Sequence, residues 1–176
     1  MTRILRAIIA TVVMSGCTTA TMDSPPLRGQ AMLRDKTGQQ VGLATLTEQV
    51  EGVRIEISGT GFPPRAKGLH IHAVAKCDPP DFVSAGAHFN PTGEKHGRLN
   101  PEGAHAGDLA NLVVTGAGTA SLDAITKAVT LRPGVPGSLF GESGTSLVVH
   151  AQADDEKTDP TGNSGERIAC GVITRS

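Results

Sequence analysis

Beyond its first residues this chain carries no long amphipathic helical repeat; its apolar residues recur at a spacing of two, in short runs broken by turn-forming residues. Val53, Ile55 and Ile57 alternate with Arg54, Glu56 and Ser58, the period expected of a strand buried on one face. Similar runs lie at Gly29–Asp35, Gln40–Glu48, Val53–Gly59, Gly68–Val74, Asp108–Thr115, Thr119–Ala124, Thr145–Gln152 and Ile168–Thr174. Eight such runs joined by turns predict an all-β fold, an eight-stranded antiparallel Greek-key barrel or sandwich. Two connections are too long for hairpins. Ala75 to Gly107 has no convincing strand or helix, and so long a structureless stretch is rare in a compact domain unless it is functional. A bound metal and a disulfide are ties strong enough to hold it. Ala153 to Arg167 is a second polar loop that would close over the same end of the sheet, and Pro133 to Gly144 is a third with no obvious chemistry.

The first long loop contains His88, His96 and His105, and Asp108 follows it directly. On strands, His70 and His72 project to one face while Leu69 and Ile71 point to the core, and Val148 and His150 oppose Leu147 and Val149. Neutral imidazole suits zinc and copper. The six histidines with Asp108 outnumber the four ligands of one tetrahedral zinc, so two metals sharing one ligand are expected. His96, His105 and Asp108 suit zinc, with His88 completing the tetrahedron. A shared His88 must lose both ring protons, which two flanking cations make possible. Any one of these histidines taken alone reads more simply as a hydrogen-bonded or solvated side chain.

The start of the chain reads as an export signal over residues 1–16. Arg3 and Arg6 precede an apolar stretch, Ala7 to Met14, too short to span a bilayer as an ordinary helix. Met14-Ser15-Gly16-Cys17 resembles a bacterial lipobox, which would make Cys17 the lipidated first residue; cleavage elsewhere or a buried N-terminal helix are the alternatives. Residues 17–27 read as a flexible tether and 28–176 as one domain. If Cys17 carries lipid, Cys77 and Cys170 remain as an even pair in an oxidising, exported compartment, against the alternative of two free buried thiols. Closing that loop would stabilise by about 4 to 5 kcal/mol on chain-entropy reasoning. A net charge of -1 gives no reason to expect a nucleic-acid partner, and membrane contact is expected only through the N-terminal anchor.

Several motifs together resemble the bacterial copper/zinc superoxide dismutases: His70-Ile71-His72, Ala85-Gly86-Ala87-His88-Phe89-Asn90-Pro91, Lys95-His96-Gly97, His105-Ala106-Gly107-Asp108-Leu109, Leu147-Val148-Val149-His150, and Gly162 through Ile173. The resemblance runs from about Arg28 to the C-terminus and implies the immunoglobulin-like sandwich architecture shared by that family. It implies one copper per subunit at His70, His72, His88 and His150, and one zinc at His88, His96, His105 and Asp108. Arg167 matches the arginine that draws superoxide to copper, and Asp154 the aspartate linking a copper histidine to a zinc histidine. Cys77 and Cys170 match the intrachain disulfide. The implied reaction is dismutation of superoxide to dioxygen and hydrogen peroxide, with protons delivered partly through His88.

Because the protein is nearly neutral, any steering of the anion must come from a local positive patch, with Arg167 as anchor and Lys157 as a weaker candidate. Without the resemblance, Arg167 would be an exposed surface arginine and Asp154 with Asp155 a solvated pair. Lys67 departs from the pattern, standing where the family often has a further, non-ligating histidine, and Ala75 replaces a frequent glycine. The chain lacks Trp and Tyr, so the aromatic contacts common at dimer interfaces are missing and both monomer and homodimer are open. The rival readings are a non-catalytic copper store on the same sheet and an inert surface sandwich braced by zinc. The first does not need an arginine above the copper, and the second needs neither Arg167 nor His150. The expected location is periplasmic and lipid-anchored, with the outer membrane favoured because Thr18, not aspartate, follows Cys17.

Overall fold

The computed structural model describes residues 25–176. The signal, the lipobox with Cys17 and most of the tether lie outside them. The strands are β1 (Arg28–Asp35), β2 (Gln40–Gln49), β3 (Gly52–Gly59), β4 (Leu69–His72), β5 (Val113–Val114), β6 (Ala120–Thr126), β7 (Ser146–His150), β8 (Arg167–Val172) and β9 (Thr174–Arg175). The only helix among the described residues is a single 3-10 turn at Val83–Ala85.

Eight strands form one antiparallel circuit in the order β4-β7-β8-β1-β2-β3-β6-β5, and β9 pairs with the start of β1. The two ends of the circuit meet. Lys67 and Leu112 exchange backbone hydrogen bonds of 3.0 and 2.8 Å, and the Leu109 N–H donates to the Leu69 carbonyl at 3.3 Å. The sheet therefore closes as a barrel and its edge strands are covered. The connections from β3 to β4 and from β6 to β7 each pass over two strands, which makes the topology Greek-key.

The alternation expected for Val53, Ile55 and Ile57 holds: all three are buried, while Arg54, Glu56 and Ser58 are not. With Leu33, Leu46, Leu69, Ile71, Leu147 and Val149 they fill the barrel, each large side chain contributing about 1.5–3 kcal/mol of apolar burial. The tip of β2 braces one crossover. Glu48 accepts from Thr130 Oγ1 at 2.8 Å and from the Leu131 N–H at 2.6 Å, with Arg132 Nε 3.3 Å away.

Three runs differ from the expected strands. Asp108–Thr115 is a regular strand only at Val113–Val114; before it only isolated bridges, Leu112 to Lys67 and Asp108 to His70, continue the pairing, while the Asp108 N–H and carboxylate turn toward the loop. Gly68–Val74 is hydrogen-bonded throughout, but beyond His72 its partners are loop residues: Ala73 and Val74 donate to the carbonyls of Ala87 and Ala85. The last run splits at buried Ile173, whose N–H donates to Thr145 while its flanking strands face β1.

β7 is buried on both faces. Leu147 and Val149 point into the barrel, and Val148 packs outward against Phe82, Ala85 and Cys170 beneath the first long loop. Cys77 and Cys170 are disulfide-bonded, with Cα atoms 5.6 Å apart across a separation of 93 residues, which ties that loop to β8.

Candidate metal centre

Backbone pairing alongside β4 assembles the site. His72 bridges to His88 and His70 bridges to Asp108 in antiparallel fashion, so loop residues sit opposite strand histidines as cross-strand neighbours. On the other side, β7 brings His150 after a bulge between Val149 and His150 in its pairing with β8. Such a bulge re-aims the side chain that follows it. All six histidines and Asp108 are buried.

One atom each of His70, His72, His88 and His150 lie within 4.8 Å of one another. Each of these rings has one nitrogen tied back by the protein. His70 Nε2 meets Asp154 Oδ2 at 2.7 Å, His72 Nδ1 meets the Gly86 carbonyl at 2.9 Å, and His150 Nδ1 meets the Gly165 carbonyl at 3.1 Å. His88 Nδ1 faces Asp108 Oδ1 at 3.0 Å. The remaining nitrogens, His70 Nδ1, His72 Nε2, His88 Nε2 and His150 Nε2, are buried without a hydrogen-bond partner. An unsatisfied buried polar atom costs about 1–3 kcal/mol, and folded proteins leave few of them. Four converging on one point are what a cation would satisfy. Burial, as the largest cause, pushes the His72, His88 and His150 pKa values down to about 2, 4 and 3, so these rings are neutral and their lone pairs free.

A second cage lies across His88. Asp108 Oδ1 is 3.0 Å from His88 Nδ1, 3.1 Å from His96 Nδ1 and 3.3 Å from His105 Nδ1, and His88 and His105 Nδ1 are 3.4 Å apart. Zinc–ligand bonds of about 2.0–2.1 Å predict tetrahedral edges of about 3.3 Å. The observed separations match. His96 Nδ1 makes no hydrogen bond despite that 3.1 Å approach, so the two atoms face a common centre rather than each other. Asp108 is aimed by its other oxygen, which accepts the N–H groups of Gly97 at 2.9 Å and His105 at 3.0 Å. One atom of His70 also falls within 4.8 Å of His88, His96 and Asp108. His105 fits that fourth position better, because His70 spends Nε2 on Asp154 and its Nδ1 belongs to the first group.

Asp154 joins the two groups, taking His70 Nε2 on Oδ2 and His96 Nε2 on Oδ1 at 3.1 Å. Burial opposes its charge, yet these hydrogen bonds hold its carboxyl well below the usual carboxylate range. Burial opposes a charge on His96 as well, but the adjacent carboxylates of Asp108 and Asp154 outweigh it and raise its pKa to about 9 in the absence of a cation. Gly162 must be glycine here: its φ is +62°, and a Cβ would collide with Asp154 Oδ1 and come within 2.6 Å of His96 Nε2.

Asn111 was not legible as a site residue. Its side chain accepts the Asp154 N–H at 2.8 Å and donates to the Asp154 carbonyl at 2.9 Å. The only signal was an Asn in an apolar run, where strands disfavour it.

Arg167 is half-buried, donating through Nη1 to the Phe82 carbonyl at 2.6 Å and through Nη2 to the Gly86 carbonyl at 2.7 Å. It lines a cavity of about 480 Å³ with Val83, Gly86, His88, Pro160 and Thr161. Lys157 is exposed and does not line it. Gly86 thus orients both His72 and Arg167 through one carbonyl.

The family profile for copper/zinc superoxide dismutase (SODC) matches residues 40–173. This chain belongs to the copper/zinc superoxide dismutase family. It is 47% identical over 148 residues to superoxide dismutase [Cu-Zn] 1 of Aquifex aeolicus, covering 84% of this chain and 88% of that one. A crystal structure of a SOD-like protein from Bacillus subtilis superposes with a TM-score of 0.79 at 39% identity, covering 81% of this chain and 96% of that chain. The Cu/Zn superoxide dismutase from Brucella abortus aligns with a TM-score of 0.67 at 25% identity, over 84% and 99%. The all-β barrel is thus the superoxide dismutase fold, closed at β4 and β5 as the eight-stranded expectation requires.

Proposed function

We propose that this protein is a copper/zinc superoxide dismutase holding copper at His70, His72, His88 and His150 and zinc at His88, His96, His105 and Asp108, one of each per chain. The observation that carries this reading is the set of four buried, unpartnered nitrogens beside a second cage with zinc-length edges, both built on His88. When bound, copper supplies a cupric–cuprous couple that oxidises one superoxide to dioxygen and reduces a second to hydrogen peroxide, while zinc supplies a redox-inert charge.

The chain's residues do the rest. Arg167, fixed by two carbonyls, presents its guanidinium to the cavity and draws in the small anion. His88 Nε2 faces the first group, and whenever it carries a proton it can pass that proton to an oxygen species in the cavity. The Gly86 and Gly165 carbonyls and Asp154 fix the tautomers of His72, His150 and His70, leaving the ligand nitrogens bare. Val83, Pro160 and Thr161 line the same cavity as Arg167.

The test is metal analysis of the purified protein, with dismutase activity measured before and after selective copper removal. Activity lost while zinc stays bound, and regained on adding copper back, supports the reading. Copper-loaded protein without activity would leave the copper-store alternative. The reading extends to lipidation at Cys17, a periplasmic location with the outer membrane favoured, and a monomeric or homodimeric state. Mass spectrometry of the mature N-terminus, membrane fractionation and sedimentation address these in turn.

A further inference from the structure

We propose that Lys67 is a positioning residue for His150, holding the backbone just beyond that imidazole through a buried ammonium. The inference rests on the copper reading above.

Lys67 is only 5% exposed, and lysines are rarely so buried without a partner. Its partner is a main-chain carbonyl: Nζ donates to Ala151 at 2.7 Å. That carbonyl lies just past the bulge at which the register of β7 against β8 shifts. The Ala151 and Gln152 N–H groups go on donating to Glu166 and Ser164 at 2.7 and 2.9 Å, so Lys67 adds the donor on the carbonyl side. Two backbone bonds reinforce the contact. The His150 N–H donates to the Gly68 carbonyl at 2.8 Å, and the Gly68 N–H donates to Gln152 at 2.6 Å. Residues 67–68 thus grip 150–152 at three consecutive residues.

This approach needs Gly68, since a Cβ there would be 2.7 Å from Ser164 Cβ and 3.4 Å from His150 Cβ. The backbone of Lys67 meanwhile exchanges both hydrogen bonds with Leu112, where the barrel closes. One residue therefore transmits the closure of the barrel to the height and tilt of His150, whose Nδ1 is held from the opposite side by Gly165. In Lys67→Met the Ala151 carbonyl loses its side-chain donor, and the segment carrying His150 is held only by its backbone bonds and the Gly165 contact, which loosens the placing of the ring.

The test uses zinc-loaded protein, titrated with Cu(II) against a competing chelator and followed by electron paramagnetic resonance. Lys67→Met is expected to weaken Cu(II) binding by about 10- to 100-fold and to change the copper hyperfine splitting, as loss of a ligand's outer support generally does. Lys67→Arg, which keeps a buried donor and its charge, should restore both. If Lys67→Met does not fold, Lys67→Gln serves, with an expected loss of at least about three-fold. Wild-type affinity and an unchanged spectrum in the Met or Gln variant overturn the inference, even if the melting temperature falls. A wild-type protein with no nitrogen-ligated Cu(II) spectrum overturns the copper reading as well; a normal wild-type spectrum with indifferent Lys67 variants overturns only the role of Lys67.

Discussion

Replacing Asp154 by alanine should damage both metal sites at once, through atoms that touch neither metal. The carboxylate accepts His70 Nε2 at 2.7 Å, His96 Nε2 at 3.1 Å and the Glu156 N–H at 2.6 Å. The first two donors are fully buried, and each hydrogen bond to a charged group is worth about 1.5–3 kcal/mol. Truncation would then cost roughly 3–6 kcal/mol if both rings stayed as they are. A neutral imidazole has an escape: it can move its proton to the other nitrogen. At His70 that relieves part of the cost but blocks Nδ1, the nitrogen meant for the metal, whereas His96, held protonated by the carboxylates around it while no cation is bound, has no such escape.

The loss therefore divides between folding and binding. We expect about 2–4 kcal/mol less stability in metal-free, disulfide-intact protein, read by urea denaturation. We also expect about 10- to 100-fold weaker affinity for each metal, read by chelator competition. Asp154→Asn, which keeps one acceptor, should fall between. If Asp154→Ala bound both ions within three-fold of wild type, the bridging role assigned to this carboxylate would be wrong.

Arg167→Ala should slow dismutation and flatten its dependence on ionic strength while both metals remain bound, since a fixed local charge is what steers a small anion; unchanged pulse-radiolysis rates would rule the role out. Joint replacement of Cys77 and Cys170 by serine should lower stability by about 3–5 kcal/mol in denaturant unfolding. Activity per bound copper should fall too, because the loop carrying the Phe82 and Gly86 carbonyls loses its tie to β8. Glu48→Ala should destabilise by roughly 2–4 kcal/mol through the Thr130 and Leu131 hydrogen bonds, without changing metal content or rate in the folded protein. A comparable loss of activity in that variant would mean the crossover at Thr130 communicates with the metal end.

Much of the site was legible because its signals are local. The one-residue gap between His70 and His72 puts both on one face by strand geometry alone, and the motifs around His88, His96, His105 and Asp108 carry the family resemblance. Lys67 was visible only as a departure from the family pattern; its burial and its bond to the Ala151 carbonyl appear only in the folded chain. Ala75 donates its N–H to Ser143, and its methyl occupies the space a Cβ at Gly144 would need, so the turn accommodates the exchange. The last third of the expected Gly68–Val74 strand and most of Asp108–Thr115 were misjudged because apolar patterning reports burial, not which backbone supplies the hydrogen bonds.

The amino-acid sequence by itself determined the class of fold, the identity of the candidate ligands and the faces on which the strand histidines lie, since each follows from the side-chain period and from residue chemistry. Tertiary structure decided which nitrogen of each ring is bare, that Asn111 holds Asp154, and that Gly86 serves both His72 and Arg167. Those choices depend on carbonyls and carboxylates that arrive from distant parts of the chain once the barrel closes. The direction in which a backbone carbonyl points is written in no single residue.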